Sequence, residues 1–396
     1  MISHADIEKI ISSARSLLGA EDSSVIVAHL PILKQRLEHL KTSFAPGVLH
    51  AIAIKTNPHP EMLAYIVRQG FGLEAASIEE VELALEAGAS TSHIVFDSPV
   101  KTQLEIDRVS QMEDMLVNVN SIEELKRFPK AVKCILGIRI NPQVHTGAPQ
   151  MFDVSRNESK FGVALEDRDR IVQAALEYPV GALHIHSGSQ MRDLEMQYGA
   201  LRNLKSLADE INEKQPGKIK VLDIGGGLPT EELHEESAMR SYGAKVTALF
   251  DQSSYQLVTE FGQWVHAEAG LALSRVEYVL DQKRIFIHLG ADFFMRDAYT
   301  TPRNFDLNVW NDNGSAVQGE SSKFDIAGPL CFAGDYLAHQ VALPSKIQEG
   351  MWLSISNTGA NTYALWSRHC SRKVPKYLSW DGESTTIWSN RTTINY

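Results

Sequence analysis

The sequence predicts an α/β protein in which a (β/α)8 barrel of the TIM type at residues 25–270 precedes an antiparallel β domain at residues 271–396. Up to Gly270, short apolar segments alternate with amphipathic helical segments, which is typical of a parallel sheet. About eight such units fit into this length, and this number favours a barrel over the alternative, a doubly wound open sheet. After Gly270 the apolar residues recur with period two and no convincing helix follows, which predicts antiparallel strands.

The candidate strands before Gly270 are short, apolar and bounded by turn residues. In chain order they are SSVIVAH, VLHAIAIK, GFGLEAA, HIVFDS, DMLVNV, KCILGIRIN, GALHIHSG, IKVLDIGGG and YQLVTEFG. Two helical segments between them, SIEEVELALEAGA and SIEELKRF, open with a serine N-cap and carry glutamate in the first turn, where the helix dipole favours it. Ser77 and Ser121 are therefore predicted to begin helices that directly follow strands.

The composition is that of a soluble globular protein, with 43% hydrophobic and 22% charged residues among 396. A net charge of -11 disfavours a nucleic-acid-binding surface or an anionic membrane surface. The three cysteines are too few and too scattered for a disulfide framework. The opening segment MISHADIEKIISSARSLLG is an amphipathic helix rather than a signal peptide, and no apolar run approaches the roughly 18 residues that span a bilayer. We therefore expect a cytoplasmic protein without nucleic-acid or membrane partners.

Lys55, at the end of the second candidate strand, is the first candidate for chemistry. In VLHAIAIKTNP, alternation places Lys55 on the same face as the small residues Ala51 and Ala53. Barrel enzymes carry their active sites at the carboxyl ends of the strands, so a lysine here suits a cofactor that lies over the barrel mouth. The alternative is an ordinary lysine that extends from a strand end into solvent.

Two further strand ends carry polar or flexible turns. In ALHIHSGSQ, His184 and His186 share a strand face, and Ser189 in the following turn could donate to a phosphate. In VLDIGGGLP, the backbone N–H groups of the glycines 225–227 could surround a phosphate, although their spacing is not that of a dinucleotide fingerprint. The alternatives are packed histidines and a plain tight turn, and the absence of a third ligand at a recognisable spacing disfavours zinc.

Glu260 ends the last candidate strand, in LVTEFG. A carboxylate at a barrel mouth could hold the protonated ring nitrogen of a pyridine cofactor and keep the ring an effective electron sink. The alternative is a solvated or ion-paired structural glutamate. A strand-end lysine, a His-x-His-Ser-Gly-Ser turn, a triple glycine and a strand-end glutamate thus precede a β domain in this order.

With its motifs in this order, the chain resembles the fold-type III pyridoxal-phosphate (PLP) decarboxylases, which include diaminopimelate, ornithine and arginine decarboxylases. The diaminopimelate decarboxylase-like branch is the most similar. The resemblance runs from about Val25 to Ser371 through AIAIKTNP, GFGLEAASIEEVELALEAGA, HIVFDSPVKT, GIRINPQV, SKFGV, HIHSGSQ, DIGGGLP, TEFG, GADFFMR and AGPLCFAGDYLA. It implies decarboxylation of an amino-acid substrate with pyridoxal 5'-phosphate as cofactor. It also implies a homodimer with shared active sites and a β domain on which residues 1–24 pack.

The resemblance implies a role for each matching residue of the barrel. Lys55 would hold PLP as a Schiff base beside Glu74, and His186 would stack on the pyridine ring. Glu260 would bind the ring nitrogen, and Arg139 would lie near the cofactor. The phosphate would be held by a serine and a glycine turn, namely Ser189, Gly225, Gly226 and Gly227.

The resemblance also implies site residues in the β domain. Cys331 would cross the subunit interface and return a proton to the substrate, with Asp335 near it. Arg296, in GADFFMR, would grip a substrate carboxylate. For Cys331 the alternative is a buried, unreactive thiol.

Three positions depart from the family pattern. Gln263 stands where an arginine normally helps to neutralise the cofactor phosphate, so we expect comparatively loose PLP binding. Phe332 stands where an acidic residue commonly binds the distal ammonium of the substrate. Together with Arg296, it indicates a substrate with a carboxylate at its far end, such as a citrate-conjugated siderophore precursor. Asn361 stands where a tyrosine lies near the cofactor, and Tyr363 follows two residues later.

Two other functions stay open at this point. An amino-acid racemase of the alanine racemase type also combines a PLP barrel with a β domain, but such enzymes place an arginine on the ring nitrogen, and Glu260 favours decarboxylation. A non-catalytic PLP-binding homologue is favoured by Gln263 and Asn361 and opposed by the retained Lys55 and Cys331.

Overall fold

The computed structural model describes residues 1–230, 233–251, 253–300 and 305–393, with only the backbone at residue 150. Contacts divide the chain into two units, one of residues 37–264 and one that combines residues 1–36 with residues 265–396. The domain limits expected from the sequence, 25–270 and 271–396, stay a prediction beside this division by contacts.

Within the described residues of the first unit, eight parallel strands form a closed barrel. Elements are numbered along the chain, and β1 (Ser24–His29) belongs to the second unit. The barrel strands are β2 (Leu49–Ala53), β3 (Gly72–Ala75), β4 (Ile94–Phe96), β5 (Leu116–Val119), β6 (Ile135–Asn141), β8 (Val180–Ile185), β9 (Val221–Asp223) and β10 (Gln256–Thr259). The short β7 (Val163–Ala164) pairs with β6 at its side. Pairing of β10 with β2 and of β5 with β6 completes the closure. The predicted barrel fold is confirmed.

Helices alternate with the barrel strands. They are α2 (Leu30–Ser43), α3 (Pro60–Arg68), α4 (Ile78–Glu86), α5 (Gln103–Val109), α6 (Ile122–Leu125), α7 (Arg168–Glu177), α8 (Leu194–Lys214), α9 (Glu236–Phe250) and α10 (Gly262–His266). The predicted N-caps are confirmed, because the hydroxyls of Ser77 and Ser121 accept N–H bonds from Glu80 and Glu124. No helix among the described residues combines the length and the hydropathy that crossing a membrane requires.

The barrel core is built from small and branched side chains. One buried cluster takes a single residue from each of six strands: Ala51, Val95, Leu116, Ala182, Val221 and Val258. Burial of one layer across opposite strands is what fills a barrel of this size. The interior of the barrel is therefore apolar at this level, and the polar side chains of the site lie at the strand ends.

The second unit contains a sheet of nine strands in its described residues. Besides β1 these are β11 (Gly270–Leu280), β12 (Arg284–Ile287), β13 (Leu307–Trp310), β14 (Ser321–Ala327), β15 (Tyr336–Pro344), β16 (Trp352–Ser356), β17 (Lys376–Trp380) and β18 (Thr385–Ser389). The pairs are antiparallel except for β1 with β17 and β12 with β14. Among the described residues, two helices lie wholly in this unit, α1 (His4–Ala14) and α11 (Met295–Tyr299). The period-two pattern did not reveal α11.

Helix α1 packs its apolar face on the sheet of the second unit. Ile7, Ile10 and Ile11 lie in one buried cluster with the indoles of Trp310 and Trp352. The spacing of these isoleucines places them on one side of a helix, as the amphipathic pattern of the opening segment predicts. The N-terminal segment thereby becomes part of the core of the β unit.

The segment SSVIVAH, predicted as a barrel strand, forms β1 in the other sheet, and this prediction was wrong. Its neighbours are β11 on one side and β17 on the other. All six residues of β1 are buried, as in a strand covered on both faces. A continuous apolar run looks the same in a barrel and in the middle of a covered antiparallel sheet, so periodicity could not separate the two.

Two helical glycines of the barrel unit give a matched pair of stability predictions. A Cβ added at Gly243 in α9 would overlap the carbonyl oxygen of Ser43 at the end of α2, whereas one added at Gly199 in α8 would meet only the flexible side chain of Arg202, 3.8 Å away. Gly243→Ala is expected to destabilise the protein by about 2 kcal/mol, because backbone must move. Gly199→Ala is expected to stabilise it by about 0.5–1 kcal/mol, because alanine favours the helix.

The midpoint of urea unfolding of each variant measures these effects. Equal shifts of the same sign at the two glycines would contradict the close approach of α9 to α2.

Candidate active site at the barrel mouth

The site residues predicted in the barrel lie at or just beyond the carboxyl ends of its strands. Lys55 follows β2, Glu74 lies in β3, Arg139 lies in β6, His186 follows β8 and Glu260 follows β10. Because the strands are parallel and the barrel is closed, their carboxyl ends meet at one mouth. The structure thus brings these five predicted residues together.

Lys55 and Glu74 form an ion pair at this mouth. The ammonium Nζ of Lys55 donates to the Oε2 of Glu74, whose side chain is fully buried, while the Lys55 side chain is 45% exposed. Burial raises the pKa of Glu74 above its usual range, and the ammonium of Lys55 opposes this shift. Burial alone would lower the pKa of Lys55, but Glu74, Glu260 and Asp97 outweigh it and raise that pKa. The pair therefore holds a proton at the lysine nitrogen at neutral pH.

His184 is a fully buried cation at the end of β8. Its Nδ1 lies 3.3 Å from the Oδ1 of Asp97, and its Nε2 lies 3.8 Å from the Oε1 of Glu260. Burial alone would lower the pKa of His184, but Asp97, Asp223 and Glu260 raise it to about 9. Two carboxylates thus face the two ring nitrogens of an imidazolium.

Asp97 connects this histidine to an arginine. Its Oδ2 lies 3.5 Å from the Nη1 of Arg139, whose guanidinium also lies over the ring of Phe161 at 4.5 Å. Although burial opposes ionisation, His184 and Arg139 hold the pKa of Asp97 well below its usual range. Asp97 is a site residue that the sequence reasoning missed. Its position directly after β4 is the same strand-end signal that drew attention to Glu260.

Glu260 is an ionised carboxylate without a hydrogen-bond donor among the described residues. Its side chain is 1% exposed, and neither oxygen accepts a hydrogen bond. Burial alone would raise the pKa of Glu260, but the neighbouring cations of His184 and Lys55 lower it. A buried carboxylate with both oxygens unsatisfied is costly, so the site is suited to a ligand that brings an N–H donor.

His186 lies beside Glu260 with one ring nitrogen fixed. Its Nδ1 accepts the backbone N–H of Gly226 at 3.1 Å and lies 3.7 Å from the Oε2 of Glu260. Burial lowers the pKa of His186. The neutral imidazole therefore keeps its proton on Nε2, and the side chain, 20% exposed, stays accessible to a ligand.

The triple-glycine turn admits no larger residue. Gly225 and Gly227 have φ angles of 67° and 87°, in the left-handed region that favours glycine. A Cβ at Gly225 would overlap the carbonyl oxygen of Ile185, and one at Gly227 would overlap that of Gly188. At Gly226 it would lie 2.5 Å from the carbonyl oxygen of Glu260. The bare backbone is therefore held against the neighbouring strand ends, which suits a phosphate cradle.

Ser189 and Gln263 lie next to this turn. The hydroxyl of Ser189 donates to the Oε1 of Gln263 at 3.2 Å. The Cα of Ser189 lies 3.5 Å from the position that a Cβ on Gly227 would take. The predicted phosphate-binding residues thus form one group, in which Gln263 contributes an amide instead of a cation.

Three potential metal donors also come together at this mouth. Donor atoms of His184, His186 and Glu260 lie within 4.8 Å of one another. The sequence spacing did not reveal Glu260 as a third donor beside the histidines, because strand ends far apart in sequence meet only after the barrel closes. The raised pKa of His184 favours an imidazolium here, and an imidazolium is no metal ligand.

The remaining predicted residues lie in the β unit. Arg296 belongs to α11, and the Phe332 ring stacks on Tyr299 of the same helix, with centroids 5.3 Å apart and planes 7° from parallel. The backbone N–H of Cys331 donates to the Sγ of Cys370 at 3.5 Å.

Asp335 and Asn361 have structural positions in this unit. Asp335, expected beside the substrate, accepts the backbone N–H groups of Ala291 and Leu330 at 2.6 Å each and is buried. Both of its oxygens therefore brace the loops around β15. Asn361 is buried and has a φ of 58°, a conformation that asparagine tolerates better than most residues.

Comparison with known proteins identifies the family. A sequence profile described as "Pyridoxal-dependent decarboxylase, pyridoxal binding domain" matches residues 31–267. The chain belongs to the pyridoxal-dependent decarboxylase family. Diaminopimelate decarboxylase of Pseudomonas aeruginosa is 29% identical to this chain, over 88% of its length and 85% of the relative. The enzyme of the same name from Aquifex aeolicus is 26% identical, over 92% of this chain and 88% of the relative.

Solved structures show the same fold. Diaminopimelate decarboxylase from Helicobacter pylori, complexed with L-lysine, superposes with a TM-score of 0.86 at 23% identity and covers 95% of this chain and 96% of its own. The Paramecium bursaria Chlorella virus arginine decarboxylase bound to agmatine has a TM-score of 0.81 at 21% identity, with 96% and 100% covered.

The decarboxylase is thus a member of the diaminopimelate decarboxylase-like branch and uses pyridoxal phosphate. The predicted family, enzyme class and cofactor are confirmed. The relatives are named as decarboxylases and give no support to the racemase or the non-catalytic alternative.

The residues of this decarboxylase fit the cofactor. The buried Glu260 lacks the N–H donor that a protonated pyridine nitrogen would bring. The turn at residues 225–227 has no room for a Cβ, and an accessible lysine amine, that of Lys55, lies at the same mouth. A single cofactor with a ring nitrogen, a phosphate and an aldehyde matches all three features.

Replacing His184 by Gln is expected to flatten the pH dependence of stability in the cofactor-free protein. The pKa of His184 rises on folding from its ordinary value to about 9. Its stabilising contribution is therefore complete below about pH 6.5 and is lost as the pH rises towards about 9. We expect wild type to lose about 1.5 kcal/mol from this group between about pH 7.5 and about pH 9, a loss that His184→Gln lacks.

His50→Gln is the matched control, measured by the same urea titrations. Burial lowers the pKa of His50 to about 4, so this histidine is neutral in both the folded and the unfolded state throughout that pH range. Its replacement should leave the slope unchanged. A wild-type slope in His184→Gln would show that His184 is not the buried cation.

Proposed function

We propose that this decarboxylase acts on an amino acid whose far end carries a carboxylate rather than a free amine, for example a citrate-conjugated precursor of a siderophore. The stacking of Phe332 on Tyr299 is the observation that carries the proposal. This contact places an aromatic ring at position 332. The ring offers no negative charge to a distal ammonium. Arg296, on the same helix as Tyr299, supplies a cation for a distal carboxylate.

In the proposed barrel site, Lys55 anchors the cofactor through its amine, and Glu260 accepts the ring N–H. When bound, PLP supplies an electron sink for the electron pair that the departing carbon dioxide leaves at the substrate Cα. His186 presents its neutral imidazole to the ring, because its Nδ1 is occupied by Gly226. Arg139, held by Asp97, lies beside these groups.

Proton handling is divided between two acids. Glu74 would hold a proton at the Lys55 nitrogen through the hydrogen bond between the two side chains. Cys331 is exposed in this unit and is the proposed source of the proton that returns to the substrate Cα. The proposal includes a cytoplasmic homodimer with active sites shared between subunits, supported by the family resemblance.

The phosphate is proposed to lie against Ser189, Gly225, Gly226 and Gly227. Gln263 is within hydrogen-bond distance of Ser189 and completes this group without a positive charge. We therefore propose that this site binds PLP more weakly than a site with an arginine at position 263 would. Asn361 is proposed to lie near the cofactor, where its short side chain leaves more room than a tyrosine.

The substrate proposal predicts the outcome of a comparison between two amino acids of equal length, 2-aminoadipate with a distal carboxylate and lysine with a distal amine. Wild type is expected to prefer 2-aminoadipate and citrate amides of diamino acids in kcat/KM. Arg296→Gln should lower kcat/KM for 2-aminoadipate roughly tenfold to a hundredfold, the effect of one charge-assisted hydrogen bond. Phe332→Glu should shift the preference towards lysine by a similar factor, because it adds the missing anion.

Phe332→Leu is the control, since it removes the ring without adding charge and should not improve lysine turnover. Release of carbon dioxide from each compound is the measurement. Efficient turnover of meso-diaminopimelate by wild type would overturn the proposal.

A second prediction concerns the cofactor. Gln263→Arg is expected to tighten PLP binding about tenfold to a hundredfold, because it adds a charge-assisted hydrogen bond worth roughly 1.5–3 kcal/mol to the phosphate. Gln263→Glu keeps an acceptor for Ser189 but adds a negative charge, so it should weaken binding. Titration of cofactor-free protein with PLP, followed by absorption, measures both. An unchanged Kd for PLP in Gln263→Arg would mean that the cofactor phosphate does not bind next to position 263.

A further inference from the structure

Two exposed cysteines lie side by side in the β unit, although they are 39 positions apart in sequence. The backbone N–H of Cys331 points at the Sγ of Cys370, 3.5 Å away. The two thiols also interact with each other directly, and this hydrogen bond raises the pKa of Cys331. The third cysteine, Cys134, is buried and takes no part.

The turn that carries Cys370 is held in place from both sides. The backbone N–H of Ser367 donates to the carbonyl oxygen of Asp292 at 2.9 Å, and the guanidinium of Arg372 lies 3.1 Å from the carboxylate of Asp292. Cys370 and Ser371 have φ angles of 59° and 53°, which are uncommon for residues other than glycine. Such a backbone persists only where its surroundings fix it, so the position of the Cys370 backbone is defined, and its Sγ accepts the N–H of Cys331.

The loop that carries Cys331 is fixed in the same way. The carboxylate of Asp335 accepts the N–H of Leu330, and the N–H of Phe332 donates to the carbonyl oxygen of Leu330 at 2.9 Å. The Phe332 ring also contacts the ring of His369, with centroids 6.1 Å apart. Both thiols therefore stand on braced loops that touch each other, which gives each sulfur a high effective concentration towards the other.

We propose that Cys331 and Cys370 form a reversible intrachain disulfide when the enzyme meets a peroxide, and that this disulfide switches catalysis off. One thiolate attacks a peroxide oxygen, the O–O bond breaks, and a sulfenic acid and water result. The second thiol displaces the sulfenic hydroxyl as water and forms the S–S bond. Two thiols and one hydrogen peroxide thus give one disulfide and two waters, and a dithiol reductant reverses the oxidation.

Loss of activity rests on the proposed function, in which Cys331 returns a proton to the substrate. A sulfur bonded to Cys370 has no proton to give. The disulfide also protects Cys331, because a sulfenic acid that finds no second thiol is oxidised further to an irreversible sulfinic acid. Exposed disulfides of this kind are the labile and regulatory ones in reducing compartments.

The test uses the full-length enzyme loaded with PLP. After treatment with hydrogen peroxide and removal of the excess, free thiols are alkylated and the protein is digested without reductant. Mass spectrometry is expected to find the peptides of Cys331 and Cys370 linked, and the intact chain lighter by two hydrogen atoms. Activity should fall in step with the linked fraction and return with dithiothreitol.

Two cysteine variants are the controls. Cys134→Ser removes the buried thiol and should behave as wild type. Cys370→Ser should keep its activity before oxidation and form no linkage, and the same peroxide dose should inactivate it in a way that dithiothreitol does not fully reverse.

The formation of the disulfide and the loss of activity that it causes can be tested separately. Separate oxidation of the two thiols without linkage, or a linkage between two subunits, would overturn the switch whatever the substrate is. A complete Cys331–Cys370 linkage with unchanged turnover would instead overturn inactivation, and with it the role of Cys331 as the acid.

Discussion

The barrel site depends on a buried imidazolium between two carboxylates. His184 keeps its charge because Asp97 and Glu260 face its two nitrogens, with Asp223 also nearby. Glu260 in turn stays ionised at 1% exposure because that cation is next to it. Burial of any one of these charges alone would be prohibitive, so the three ionise together. Asp97 also pairs with Arg139. The two carboxylates and the two cations of this group therefore balance each other's charge without solvent.

This balance decides what the barrel mouth can bind. Neither oxygen of Glu260 accepts a hydrogen bond from the described residues, so this carboxylate remains available to a ligand although His184 lies beside it. An N–H donor entering there gains a charge-assisted hydrogen bond and pays no cost for stripping water from the carboxylate. The neighbouring Asp223 does not compete for the same donor, because its two oxygens already accept the side-chain N–H of Asn118 at 3.1 Å and the backbone N–H of Gly225 at 3.0 Å.

Sequence patterns revealed the strand-end residues but not the contacts between strands. Lys55 and Glu260 could be found because alternation and a following turn place them at carboxyl ends. The network of Asp97 with His184 could not, since it joins β4 to β8 only after the barrel closes. β1 was assigned to the wrong sheet because a strand buried on both faces shows no alternation of polar and apolar residues. Its surroundings therefore cannot be inferred from its sequence. The Cys331–Cys370 contact likewise joins two loops that no local pattern connects.

One short loop of the β unit carries the residues proposed for three kinds of chemistry. Cys331 and Phe332 are adjacent, and the loop that carries them is fixed by the carboxylate of Asp335. The backbone N–H of Cys331 that reaches Cys370 directly precedes position 332, so the stacking on Tyr299 and this hydrogen bond belong to one short segment. The proposed recognition of the far end of a substrate, the proposed return of a proton and the proposed access of an oxidant therefore all depend on this loop. We expect a substitution at position 332 that loses the contact with α11 to change the reactivity of the neighbouring thiol as well.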